Sequence, residues 1–304
     1  MKLKLYIMKF KHAHFGDGML NESVDFFEAS RLYSALYLEA ITQHKEEAFI
    51  KLTQSENFHI SDAFPYDVEP FLPKPIGYPK VSEESKSIEE LKTARQNAKA
   101  VKKITYIPLS EFDNYLSGKG DLTAISDRQK DLSQSFVAIR KGVDPYEVGI
   151  RTFKYSLYVV ASQSDLFDNL MSALQYSGLG GKRTSGLGQF DLTIKDLPDN
   201  MLTHISGNDY NRFVALTSSL PTEEELTVAV TNANYLLKKA SGFAYSPESK
   251  QLLRKQDVYK FRAGSTFTNK YQGSILNVEP DQFPHPVWHF ARGLFYGINI
   301  SSGG

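Results

Sequence analysis

The stretch from Tyr176 to Phe190 restricts the fold more than any other. It carries five glycines (Gly178, Gly180, Gly181, Gly186, Gly188), the adjacent cations Lys182 and Arg183, and the hydroxyls of Thr184 and Ser185. No acidic residue lies between Asp168 and Asp191. Glycine permits positive φ and lets a ligand approach bare backbone. Several N–H groups turned into one concavity beside two cations are expected to hold an anion, with phosphate the best fit. A flexible turn with two solvated cations ranks below that reading, because length, glycine density and absence of acid coincide. The residues before the loop, Leu166 to Leu174, have apolar side chains at helical spacing, and Gln189 to Ile194 read as a strand. That order, helix then loop then strand, is not a mononucleotide site. A Walker loop would need glycine where Tyr176 stands and Ser or Thr where Arg183 stands, and a dinucleotide fingerprint would put its third glycine at Arg183.

A chain of 304 residues can build two medium domains or one large one. Its 35 cations balance its 35 acids, so only the distribution of charge is informative. Without cysteine there is no disulfide, thiolate metal site or cysteine nucleophile, which suits a cytoplasmic protein. Met1 to Phe10 lacks a signal-peptide core and no run reaches membrane-spanning length.

The first ten residues read as an amphipathic strand, Leu3, Leu5 and Ile7 against Lys2 and Lys4. Ser30 to Ile41 reads as a helix with Ser30 as N-cap and Leu32, Ala35, Leu36 and Ile41 buried. The prolines of 58–80 are expected to exclude an interior strand or helix there. Lys92 to Lys103 carries five cations and no acid, as a solvated helix face or an interaction segment. A short strand at 104–109 and a helix at 110–116 follow. Residues 120–148 show little periodicity, 150–161 read as one long strand, and 164–175 as a helix. Through the strand at 189–195 the order is strand, helix, strands, helix, strand. That matches the split β-α-β order of ferredoxin-like and RNA-recognition folds, an α+β class, though strand–helix alternation alone is compatible with other α/β folds. A second sheet-plus-helix unit begins after Pro198, with a strand at 212–220, a helix or turn opened by Pro221, and a broken last strand at 285–300. Its stretch 235–272 holds eight cations against Glu248 and Asp257.

No catalytic constellation stands out. His12 and His14 lie among cations that would repel a metal, and His285 and His289 flank Pro286, so structural roles are favoured. One enzymatic alternative survives: His14 as general base in metal-independent RNA cleavage.

Taken together, Gly178 to Phe190, Arg31-Leu32-Tyr33-Ser34-Ala35-Leu36, Phe71-Leu72-Pro73-Lys74-Pro75-Ile76-Gly77, Gly264-Ser265 and His285-Pro286-Val287 resemble a RAMP-superfamily subunit. It is the subunit that caps the guide-RNA 5′ end in type III-A (Csm) CRISPR effector complexes. The matches run from residue 1 to about 300. One departure is Ala29-Ser30-Arg31, where the family often has Ser-Asp-Thr before Leu. The resemblance implies two fused ferredoxin-like domains, 1–198 with Pro-rich and thumb insertions and 199–304, and no catalytic site, metal or cofactor. It implies partners: the 5′ tag of the guide RNA, a large polymerase-like subunit, a backbone RAMP subunit, and target RNA under a β-hairpin thumb ending at Arg140-Lys141. Lys182 and Arg183 would then pair with phosphates, and the N–H groups of Gly178, Gly180 and Gly181 with Thr184 and Ser185 would meet backbone or 2′-hydroxyl oxygens. His14 and Phe15 would stack tag bases, and Arg31 and Arg151 would reach phosphate. The runner-up is a RAMP endoribonuclease acting on precursor guide RNA through His14. A third reading makes the cationic 235–272 stretch a protein-docking face.

Overall fold

Leu3–Phe10 (β1) is buried on both faces: Leu5 and Ile7 turn to one side, Tyr6, Met8 and Phe10 to the other. The polar face expected for this strand is confined to its start, where Lys2 and Lys4 pair with Asp196 at 2.6 and 2.9 Å. A strand apolar on both faces requires cover on both, and the rest of the chain supplies it. The computed structural model describes residues 2–16, 18–78, 104–130, 133–140, 146–246, 248, 250 and 252–300, with backbone alone at 122, 128–130, 133–140 and 146. The cationic stretch Lys92–Lys103 and Lys141 lie outside the described residues.

After β1 come the short strand His12–Ala13 (β2) and the helices Ala29–Thr42 (α1) and Glu46–Gln54 (α2). The strands Phe64–Asp67 (β3), Glu69–Pro73 (β4) and Tyr106–Pro108 (β5) follow, then the helices Phe112–Leu116 (α3) and Leu122–Lys130 (α4). Ser133–Arg140 (β6), Tyr146–Phe153 (β7), Ser156–Ser162 (β8), helix Asp165–Ser177 (α5) and strand Phe190–Asp196 (β9) complete the first part. One antiparallel sheet runs β5-β4-β3-β8-β1-β9. Within it, α1 carries the chain from β1 to β3 across β8, and α5 carries it from β8 to β9 across β1. Both helices cover one sheet face, where Leu32, Tyr33, Leu36, Phe167, Leu170 and Leu174 meet Tyr6, Met8 and Val159.

The second part contributes helix Asp199–Ser206 (α6), strand Arg212–Ala215 (β10) and helix Glu223–Val230 (α7). Then come strands Leu237–Ala240 (β11), Phe243–Tyr245 (β12), Leu252–Arg254 (β13), Val258–Phe261 (β14), Thr266–Phe267 (β15), Ile275–Asn277 (β16), Trp288–Phe290 (β17) and Phe295–Ile298 (β18). Helix α7 starts at a capping box between Thr222 and Glu225, so Pro221 opens a helix rather than a turn. Strands β15-β10-β18 form a small antiparallel sheet. Its Val214 and Tyr296, with Met201 and Ile205 of α6, pack on Leu5, Ile7, Tyr158 and Val160, the sheet face opposite the helices. The fold is therefore mixed α+β, with several antiparallel sheets and an apolar cluster between the large and small sheets to which both parts of the chain contribute.

Several expectations are corrected. Helix α1 begins at Ala29 with Glu28 as N-cap, and Tyr33 and Ala40 take the buried places expected for Ala35 and Ile41. Strands β3 and β4 are interior despite their prolines. Their ladders are short: β3 pairs with β4 only from Tyr66, and β4 pairs with β5 only from Phe71. Pro65 and Pro70 are thus paired on one side only, where a missing N–H costs no ladder bond on the other. The long strand expected at 150–161 is two, β7 and β8. Between residues 120 and 153 lie α4 and the β6–β7 ladder, in register from Ser133↔Phe153 to Arg140↔Tyr146.

Candidate nucleic-acid interface

Helix α5 is laid down by Ser164, whose hydroxyl accepts from the Phe167 N–H, and by Phe167, Leu170, Met171 and Leu174 along one stripe. It ends at Gly178, whose N–H donates to the Leu174 carbonyl at 2.8 Å. The loop that follows is closed at its neck by Leu179 N–H donating to Gly188 O (2.8 Å). It is fastened to the segment after β1 by Gly181 N–H to His14 O and Gly188 N–H to His12 O, both 2.9 Å. Glycine is required for this closeness. A Cβ on Gly188 (φ +84°) would stand 2.1 Å from Leu179 O, and one on Gly180 (φ +101°) 2.5 Å from His14 O. At the tip, Arg183–Ser185 makes one 3₁₀ turn after Lys182, itself left-handed at φ 57°.

Of the expected cradle of Gly178, Gly180 and Gly181 N–H groups, those of Gly178 and Gly181 are spent on the protein's own carbonyls. The N–H groups of Gly178, Leu179, Gly181, Ser185, Gly186 and Gly188 all donate to the protein's own carbonyls. What the loop offers outward is its tip: Arg183, Thr184, Ser185 and Gly186 are exposed, and Lys182 is half-buried.

Beneath the loop the structure gathers His14, Phe15, Arg31 and Arg151. The His14 Nδ1 donates to Gly149 O at 2.7 Å, since a carbonyl only accepts, and its ring lies under Gly181, where a Cβ would stand 2.6 Å from Cδ2. Arg31 donates to Gly16 O at 2.6 Å, and Arg151 Nε to Ser23 O at 2.6 Å. Phe15 is fully buried, edge-on to Phe10 and Phe27. Two expectations change accordingly. Phe15 is a core residue and offers no face to a base. His14, 6% exposed and held between Gly149 and Gly181, supports the loop from below. Arg140 stands apart: it pairs with Tyr146 near the end of the β6–β7 hairpin, whereas Arg151 pairs with Ser135, roughly 17 Å nearer the base at 3.4 Å per residue. Ser23, Gly16 and Gly149 carry the site through backbone carbonyls, which no side-chain pattern signals.

Part of the cationic 235–272 stretch is spent on contacts within the molecule, while Lys239, Lys250, Arg254 and Arg262 stay exposed. Lys238 and Lys260 both close on Glu28, at 2.8 and 2.6 Å. Burial alone would raise the Glu28 pKa, but the two ammonium groups override it and hold it at about 2. Lys239 and Arg254 share Asp257, and Lys270 donates to the carbonyls of Ile205 and Gly207. Beside Glu28, Asp62 is fully buried, and burial and the Glu28 charge raise it to about 6. Its carboxylate accepts from Ala29 N–H, Ser218 N–H and Ser218 Oγ at 2.9, 3.0 and 2.6 Å. These groups join the start of α1 to the second part of the chain, so Lys238 and Lys260 belong to an internal clasp, while Lys239, Lys250, Arg254 and Arg262 remain at the surface.

In this mixed α+β fold a helix, a glycine loop bearing two cations and an edge strand follow one another, the arrangement that the resemblance to the RAMP superfamily implies. The family model described as the CRISPR Csm4 C-terminal domain matches residues 208–298. The CRISPR protein Csm4 of Streptococcus thermophilus is 41% identical over 99% of this chain and 100% of its own length. Csm4 of Mycobacterium tuberculosis (strain H37Rv) is 34% identical over 99% and 100%. A chain of the Csm3–Csm4 subcomplex of a type III-A interference complex superposes with a TM-score of 0.64 at 16% identity, covering 97% of this chain and 99% of that one. A chain of a Csm1–Csm4 cassette with pppApA gives 0.61 at 17%, covering 99% and 100%. The chain belongs to the Csm4 family of CRISPR proteins.

Proposed function

We propose that this chain is a non-catalytic RNA-binding subunit that grips the 5′ tag of a guide RNA and links a large polymerase-like subunit to the backbone RAMP subunits. One observation carries the RNA contact. The glycine loop is bonded to the β2 region and presents Lys182 to Gly186 outward, two cations and two hydroxyls on a fixed turn. Lys182 and Arg183 then take phosphates, Thr184 and Ser185 take backbone or 2′-hydroxyl oxygens, and Arg31 and Arg151 border the same track. The β6–β7 hairpin, with Arg140 near its end, is the thumb that reaches guide and target bases. The linking role is supported by relatives solved as Csm3–Csm4 and Csm1–Csm4 assemblies.

The same reading divides the chain into two ferredoxin-like domains, 1–198 and 199–304. In the first, β9-β1-β8-β3 supports it directly. In the second, β18-β10-β15 continues through the bridge from Thr266 to Asn234, which gives the same order with the β16–β17 ladder in place of the second helix.

Replacing Lys182 and Arg183 together by Ala tests the contact in a filter assay with tag RNA. The expected result is weaker binding with a salt slope flatter by about 1.4, two phosphate contacts at about 0.7 each on a single strand. Unchanged affinity and slope would contradict the assignment.

A further inference from the structure

Single-stranded RNA is held through its bases as well as its phosphates, yet the two aromatic residues expected to receive bases present no face to one. Phe15 is spent in the core, and His14 is wedged under Gly181. Among the described Phe, Tyr and Trp side chains of residues 2–198, only Tyr176 is exposed, at 74%. It stands in the last turn of α5, just before Gly178 at the neck of the glycine loop. Its backbone is fixed by its neighbours. The Tyr176 carbonyl accepts from Gln189 Nε2 at 2.9 Å, which ties the end of α5 to the start of β9. Ser177 Oγ donates to the Glu39 carboxylate of α1, and Gly178 N–H to Leu174 O at 2.8 Å. The ring takes no part in this: among the described residues it stacks on no other ring or cation, and its hydroxyl makes no hydrogen bond. Single exposed apolar groups are ordinary on a protein surface. A bare aromatic face on a fixed mount, beside the loop that carries the cations, is suited to stacking.

We propose that Tyr176 is the stacking platform for one base of the guide's tag, at the neck of the loop whose tip holds the phosphates. The inference rests on the RNA contact proposed above. The charge at the neck selects a base over a phosphate. Lys182 and Arg183 lie at the tip, whereas the neck holds the C-terminal end of α5, where helix carbonyls carry partial negative charge, and Glu39 beside Ser177. A phosphate is disfavoured there, while a neutral base with a π-face is not. Tyr176 lies six residues before Lys182, so their Cα atoms are at most about 20 Å apart, a span that a few consecutive nucleotides cover.

The test compares Tyr176→Ala and Tyr176→Phe, each in the full chain, with wild type for tag-RNA affinity, salt slope and melting temperature. Tyr176→Ala is expected to lose roughly tenfold in affinity. Slope and melting temperature should not move, because the ring displaces no counterion and is not packed in the fold. Tyr176→Phe keeps the aromatic face and should bind as wild type does. A tag series with one nucleotide at a time made abasic then finds the partner base. At one position the abasic loss should vanish in Tyr176→Ala, since both changes remove the same contact. Additive losses at every position overturn the proposal, as do undiminished binding by Tyr176→Ala, an equal loss in Tyr176→Phe, or a flattened slope. Those outcomes leave the phosphate contacts of Lys182 and Arg183 standing. A wild-type chain that binds no tag RNA overturns the RNA contact itself, and the stacking with it.

Discussion

Gly188 and Gly186 share a left-handed backbone but stand in different surroundings. At Gly188 an added Cβ meets Leu179 O at 2.1 Å, while at Gly186 (φ +80°) nothing lies within 4 Å. Gly186→Ala is therefore expected to cost only the backbone term, about 1 kcal/mol. Gly188→Ala adds a steric clash with a carbonyl that cannot move without opening the loop neck, for a total of about 3 kcal/mol. Equal losses in chemical denaturation would show that the neck is not closed as described. The same scale explains what the sequence hid. Lys182 and Arg183 are legible because charge and glycine coincide. Phe15 and His14 read alike as aromatic residues after a basic strand, and only tertiary packing separates a fully buried ring from one wedged under a loop.

Among the elements, α5, the glycine loop and β9 were readable because each leaves a local signature: a Ser cap and apolar stripe, a glycine cluster, a β-propensity run. Strands β3 and β4 were not, since their pairing is limited by partners far along the chain. A proline's cost depends on whether a neighbour awaits its N–H. The break between β7 and β8 was equally hidden. Both strands are rich in strand-forming residues, but β7 leaves the main sheet to pair with β2 and β6. Ribbon β11–β14 shows the limit of counting charge. Eight cations in the stretch suggested a basic surface, and Glu28, far away in sequence, takes two of them.

At the scale of the whole molecule, the two halves are joined by a shared apolar core and by the clasp of Glu28, Asp62, Lys238 and Lys260. His289 lies in the same region. Burial, then Lys260 and Lys255, push its pKa down to about 3. A depressed histidine is neutral in the folded state, so the unfolded chain binds more protons below its ordinary value of 6.5. Its stabilising contribution is full above 6.5 and declines as pH falls toward 3. Between pH 7 and 5 this amounts to about 2 kcal/mol. His59, also lowered by burial, acts in the same direction, whereas Asp62, raised to about 6, favours the folded state at lower pH. Comparing denaturation of the wild type and His289→Gln isolates the histidine: the variant should lose less stability on acidification from pH 7 to 5. Parallel curves would place His289 in contact with solvent instead.

The central claim is that the tip of the glycine loop holds the guide's 5′ tag. Ultraviolet crosslinking of tag RNA in the assembled ribonucleoprotein, with crosslinked peptides mapped by mass spectrometry, tests it most directly. The account predicts crosslinks within Lys182 to Gly186 and along the neighbouring track at Arg31 and Arg151. Crosslinks confined to the 237–261 ribbon, or none in the first 198 residues, would contradict it.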